Sequence, residues 1–133
     1  MKRVTGLGGV FFKCDDPKKM KEWYRKHLGI DSDKYGAMFE WRDTKTPKNK
    51  CYTVWSLFKK NTKYFAPSKK QFMFNYRVKN LKALLKVLRK EDVKVIGEVE
   101  EYEYGKFGWI IDPEGNKIEL WEPVDNKLKA KSQ

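Results

Sequence analysis

The stretch Phe12-Lys13-Cys14, followed by Asp15-Asp16-Pro17, decides the fold, because the pattern around it occurs twice. The residues Val4–Cys14 are apolar, glycine-rich and β-branched, as is typical of a strand. Proline after an acidic residue is typical of the first turn of a helix. A shift of 64 positions places Phe12-Lys13-Cys14 on Tyr76-Arg77-Val78. This internal repeat predicts two similar halves, each built as a strand, a helix and two or three further strands.

Hydrophobic periodicity assigns the remaining elements. Met20, Trp23 and Tyr24 recur at helical spacing and predict a helix over about 17–27, which Gly29 ends. Asn80 is a good N-cap for a second helix with one leucine face. Strands are predicted at about 4–14, 37–42, 51–58, 72–78, 93–99, 106–111 and 117–122. The fold class is therefore α+β: two tandem β-α-β-β-β modules that form a curled mixed sheet around a cavity.

Length and composition favour one soluble domain over residues 1–133. The 133 residues are 40% hydrophobic and 15% aromatic, which excludes disorder as the main state. We expect module one at about 4–66, module two at about 71–123 and a loose polar tail at 124–133. No apolar run approaches the roughly 18–20 residues of a membrane span, and no secretory signal is recognised, so a cytoplasmic protein is expected. Cys14 and Cys51 have neither disulfide-framework nor zinc-site spacing.

The net charge of +12 is the most conspicuous number of the composition. Thirty basic residues face eighteen acidic ones, which suggests a nucleic-acid partner. However, only five of the thirty are arginine, whose planar fork reads phosphates and base edges best. The lysines are also spread along the whole chain. A solvated lysine surface is therefore the favoured interpretation, with non-specific nucleic-acid binding as an alternative.

The segment Asp16-Pro17, then Trp23-Tyr24-Arg25 and Leu28-Gly29, and the closing segment 112–120 together resemble the vicinal oxygen chelate superfamily. The closing segment reads Asp-Pro-Glu-Gly-Asn-Lys-Ile-Glu-Leu. Glyoxalases, bleomycin-resistance proteins and extradiol dioxygenases belong to this superfamily. The resemblance covers about Thr5 to Pro123 and implies a small-molecule cavity and a homodimer.

The resemblance also implies a divalent metal held by His, Gln or Glu side chains on inward strand positions. Those positions fall on Gly9, which has no side chain, on Met73, a soft thioether, and on Glu119, a good oxygen donor. No acid, His or Gln occurs at 53–57, where the remaining ligand is expected. One ligand of four predicts that no metal or other cofactor is bound.

Strand alternation then predicts the lining of the cavity. Inward positions should carry ligand-binding side chains on three strands and one aromatic wall, namely Phe11, Lys13, Asn75, Arg77, Trp109, Lys117 and Trp121. Glu119 is the candidate catalytic residue. Aromatic walls with a few polar anchors are typical of a small-molecule site.

Three interpretations of this cavity stay open. It binds a small aromatic molecule whose anionic end meets Arg77 or Lys13, or it holds only an internal salt bridge between Glu119 and one of these bases. Alternatively, the protein is a metal-dependent lyase or dioxygenase of the same superfamily. Because the surface charge repels cations, a neutral or anionic ligand is expected.

Overall fold

The computed structural model describes residues 2–128. Its elements in chain order are β1 (Val4–Cys14), α1 (Pro17–Leu28), β2 (Ala37–Arg42), β3 (Lys50–Lys59), β4 (Phe72–Val78), α2 (Leu81–Lys90), β5 (Lys94–Tyr102), β6 (Gly105–Ile111), β7 (Lys117–Pro123) and a 3-10 turn (Asp125–Lys127). This order is the predicted repeat of strand, helix and strands. Within residues 2–128, no helix is long and apolar enough to cross a membrane.

The seven strands form one mixed sheet in the order β2-β3-β1-β4-β7-β6-β5. In each module the first strand pairs in parallel with the last strand, β1 with β3 and β4 with β7. The two modules join through the antiparallel pair β1–β4 within one chain. Because β1 and β4 lie at the centre, inward residues of both modules meet on the same concave face.

Both helices begin at the caps that the sequence predicts, and α1 ends at the predicted Gly29. The Asp16 side chain accepts a hydrogen bond from the Lys19 N–H, and the Asn80 side chain accepts one from the Ala83 N–H, so each helix has a side-chain N-cap. Gly29 follows α1 in the left-handed conformation at φ 69° and caps it, as only glycine does without strain.

The two helices differ in how deeply they pack. Helix α2 buries a leucine face in a cluster with Val78 and Leu120; its buried leucines are Leu81, Leu84, Leu85 and Leu88. Helix α1 buries no residue fully and rests on the sheet mainly through the Tyr24 ring, 4.8 Å from the Trp55 ring. Trp23 and Leu28 are more than half exposed. The first module therefore has the thinner core on its helix side.

The helix-side face of the two central strands is also less covered than expected. Alternation assigns Phe74 to this packed face, but Phe74 is 38% exposed and contacts the neighbouring Phe72 ring. Leu7 on β1 is likewise 41% exposed. The reason is geometric, since α1 packs mainly on β3 and α2 mainly on β5, β6 and β7. On the central strands, α1 meets the Phe12 ring of β1, and the leucines of α2 meet Val78 of β4.

Residues 124–128, predicted as part of a loose tail, are ordered against the sheet. The Val124 N–H donates to the Tyr104 carbonyl, and Leu128 is buried against Tyr52 and Trp121. We call residues 124–128 the C-terminal strap. Residues 129–133 of the predicted tail lie outside the described residues.

Candidate functional site

The concave face of the sheet encloses a cavity of about 740 Å³. Its lining includes the rings of Phe11, Phe58 and Tyr64, with Asn75 and Glu119 on the adjacent strands β4 and β7. Further aromatic side chains on the lining are Tyr35, Tyr104, Phe107 and Trp121. The lining is therefore rich in aromatic rings, with polar and charged side chains among them, as is usual for organic-ligand sites.

Glu119 is the polar centre of this cavity. Its carboxylate is 2% exposed and accepts hydrogen bonds from three neutral donors: the Asn75 amide at 2.6 Å, the Trp109 indole N–H at 2.9 Å and the Tyr64 hydroxyl. Strand register explains the first two contacts, because Asn75 on β4 and Trp109 on β6 are the direct cross-strand neighbours of Glu119. Tyr64 comes from the loop between β3 and β4.

No cation forms a salt bridge with Glu119 among residues 2–128. The prediction of an internal salt bridge from Glu119 to Arg77 or to Lys13 is therefore wrong. Burial raises the pKa of Glu119, while its three donors and the charge of Lys117 oppose that rise. Burial and the neighbouring carboxylate together raise the pKa of Tyr64 well above its ordinary value. Tyr64 therefore remains a protonated donor at any physiological pH.

Gly8 determines how Asn75 reaches Glu119. A β-carbon on Gly8 would overlap the Asn75 Oδ1 atom and lie 3.1 Å from Asn75 Cγ. Only a residue without a side chain therefore lets the Asn75 amide lie flat against β1 with its Nδ2 directed to Glu119. The Asn75 Oδ1 atom itself is buried and has no hydrogen-bond partner.

Arg77 is buried as predicted, but it is not part of the cavity lining. Its guanidinium lies 5.4 Å from the ring centroids of both Trp41 and Trp121 and donates to Asp125 Oδ2 at 2.5 Å. It also donates to the Tyr52 carbonyl. The two indole rings and the strap thus surround the Arg77 side chain on the inward face of β4. Arg77 fixes the strap to the sheet.

The remaining predicted basic residues also lie off the lining. Lys13 was expected to face the cavity, but the wholly buried Phe65 fills that end of the concave face, and the Lys13 ammonium lies 5.3 Å from its ring. Lys117 donates to the Tyr64 carbonyl, and its ammonium lies 5.5 Å from the Trp109 ring. Trp109 lies off the lining and reaches the site through its bond to Glu119 and an edge-to-face contact with the Tyr64 ring.

Of the eight predicted site residues, Phe11, Asn75, Glu119 and Trp121 lie on the lining. Whether they contact a ligand stays a prediction. Two parts of the site were not foreseen: Tyr64, and the segment 31–36 at the mouth, where Tyr35 is 59% exposed. The adjacent aromatic pair Tyr64-Phe65 inside a largely polar loop is the signal that could have indicated Tyr64 as a site residue.

The residues present do not fit the divalent metal that the resemblance implies. A side chain at Gly9 would lie 2.8 Å from the Phe11 ring, and Met73 is packed with Phe11 and Phe65. Both Glu119 oxygens already accept hydrogen bonds. Within residues 2–128, no group of three or more His, Cys, Asp and Glu side chains is placed to hold a metal ion.

The duplicated β-α-β-β-β unit curled around an inward Glu defines the vicinal oxygen chelate fold. The chain belongs to the glyoxalase/bleomycin resistance protein/dioxygenase superfamily, whose family model matches residues 6–120. No curated protein matches the sequence.

Solved structures with this fold include two methylmalonyl-CoA epimerases. The enzyme from Mycobacterium tuberculosis is 22% identical, with a TM-score of 0.60, over 96% of this chain and 93% of its own. The enzyme from Streptomyces coelicolor in complex with 2-nitronate-propionyl-CoA is 15% identical, with a TM-score of 0.65, over 91% and 99%. A superfamily member from Vibrio splendidus 12B01 is 14% identical, with a TM-score of 0.55, over 87% and 98%. At these identities the likeness concerns the fold.

Proposed function

We propose that this chain binds one small planar aromatic molecule in the concave cavity and holds it without a divalent metal. The observation that carries the proposal is the aromatic lining of a cavity of about 740 Å³, a volume within the usual range for organic ligands. Of the neutral and anionic ligands expected from the sequence, neutral ones fit better, because Lys127 is the single basic residue on the lining within residues 2–128.

The hairpin between β5 and β6 offers a matched pair of variants for the test. Tyr102 and Tyr104 stack on each other and are about equally exposed, but only Tyr104 lines the cavity. Titration of the native protein with 2-naphthylmethanol should quench tryptophan fluorescence saturably at one site per chain. Tyr104→Ala should weaken binding at least about threefold, since one stacked ring is worth roughly 0.5–1.5 kcal/mol, whereas Tyr102→Ala should stay within about twofold. No saturable binding of the probe would reject the proposal.

The metal-dependent alternative, a lyase or dioxygenase, predicts a different result. Elemental analysis of the purified protein, followed by naphthylmethanol titration with and without EDTA, separates the two. Unchanged affinity in EDTA supports metal-free binding. One tightly held divalent ion per chain, with binding lost on chelation, would overturn it.

We also propose that the protein is a homodimer, as the resemblance implies. The exposed apolar residues Leu7, Phe72 and Phe74 on the helix side of β1 and β4 are the surface whose burial would support it. Light scattering should give twice the chain mass, and Phe74→Lys should shift the protein towards the monomer. A native protein that is monomeric at 100 µM would exclude the dimer.

A cytoplasmic location remains part of the proposal, and cell fractionation tests it.

Non-specific nucleic-acid binding through the lysine surface remains the alternative explanation for the positive charge. It predicts a steep loss of affinity with salt. Failure to bind a 30-nucleotide DNA at low salt would remove it.

A further inference from the structure

We infer that the ligand is an organic cation: a planar aromatic molecule carrying a protonated amine, with the amine beside Glu119 and the ring against the aromatic wall. This inference rests on the proposed function and names the class of ligand. It reverses the expectation from net charge, because it depends on the few groups that face the cavity rather than on the surface.

The hydrogen bonds around Glu119 favour a ligand that donates. Tyr64 and Trp109 have one donor each, and both donate to Glu119. An ionised carboxylate accepts about four hydrogen bonds, and Glu119 accepts three. Glu119 can therefore accept one further hydrogen bond, which a donor on the ligand would supply and an oxyanion would not.

The charges on the cavity lining also favour a cationic ligand. Glu119 is almost wholly buried and borders the cavity, yet no cationic side chain forms a salt bridge with it in residues 2–128. Lys117 acts on it only through space. An unpaired buried charge is costly, and a cation in the cavity removes that cost. Asp31 and Asp33 add two more carboxylates to the lining, opposed by Lys127 alone.

The aromatic side chains of the lining favour a cation as well. Aromatic faces attract cations, and within residues 2–128 four side-chain cations already lie over rings, including Arg77 over Trp121 and Lys117 over Tyr64. Phe107 and Trp121, both on the lining, are stacked with an interplanar angle of 7°, and Trp121 lies two residues after Glu119 on β7. A ring with an attached ammonium group matches this pairing of stacked rings and buried anion.

The test uses three probes of one shape and different charge: 2-naphthylmethylammonium, 2-naphthylmethanol and 2-naphthoate. In calorimetric titration of the native protein at pH 7, the cation should bind at least about tenfold more tightly than the alcohol. The anion should bind most weakly of the three. Equal affinities, or preference for the naphthoate, would overturn the inference while leaving the proposed function intact. Binding of none of the three would overturn both.

Glu119→Gln localises the effect. This variant keeps the side-chain shape and removes the charge. The affinity for the cation should therefore fall to within about threefold of the affinity for the alcohol. Glu98→Gln, on β5 and away from the lining, should leave the full preference in place. If the tenfold preference for the cation remained in Glu119→Gln, it would have to arise from other residues, and the inference would be overturned. The native-protein series decides the ligand class whether or not the variant folds.

Discussion

Arg77 and Glu119 are two buried charges in the same pair of strands, and the fold treats them in opposite ways. Arg77 follows Asn75, the cross-strand neighbour of Glu119, by two residues on β4. Arg77 has a carboxylate partner and two indole faces, whereas Glu119 has only neutral donors and borders a cavity. A charge compensated within the chain acts as a structural anchor. A buried charge left open towards a cavity is the mark of a binding site.

The largest effect should come from breaking the compensated charge. Arg77→Met leaves Asp125 without its cation and releases the strap, so we expect a loss of about 3 kcal/mol in the free energy of unfolding. Urea denaturation measures it. Arg3→Met removes the exposed pair with Glu91, and should leave the urea midpoint unchanged. Equal effects of the two substitutions would show that the Arg77 pair is not an anchor.

The second largest effect should come from crowding the neighbours of Glu119. Gly8→Ala forces Asn75 to move and costs the protein about 2 kcal/mol, the usual range for overpacking combined with a lost charged hydrogen bond. In an Asn75→Ala background the added methyl group meets no Oδ1, so the same substitution should cost much less. Additive costs in this double-mutant cycle would contradict the proposed contact.

A smaller effect is expected at the loop donor. Tyr64→Phe removes one of the three donors to Glu119 and should cost about 1 kcal/mol of stability. Tyr102→Phe is the matched control, since its hydroxyl donates to the exposed carboxylate of Glu100. Thermal denaturation should show a lower Tm for the first variant only. A matching shift in both variants would place the Tyr64 bond among ordinary surface contacts.

The sequence could assign site residues on the predicted strands, but it could not assign those that lie outside the strands. Glu119 was assigned from the family resemblance, and Asn75 followed because period-two alternation fixes which side chains of a strand share a face. Tyr64 and Asp125 were not, since both come from outside the predicted strands and reach their partners over 55 and 48 residues of sequence. No local pattern encodes such a contact. Lys13 and Arg77 were placed on the right face, but Phe65 and Asp125 decide what meets them there.

The smallest effect should be the pH dependence that Glu119 imparts, because its three donors offset part of the burial that raises its pKa. A carboxyl whose pKa is higher in the folded than in the unfolded protein binds more protons when folded. Stability therefore falls as pH rises from the unfolded value, about 4.3, through the folded value. Gln at position 119 does not titrate, so the stability of Glu119→Gln relative to the native protein should improve from pH 4 to pH 8. Urea midpoints of both proteins across this range measure the difference. A difference that stays constant with pH would mean that burial does not penalise the Glu119 charge, and the contrast with Arg77 would then lose its physical basis.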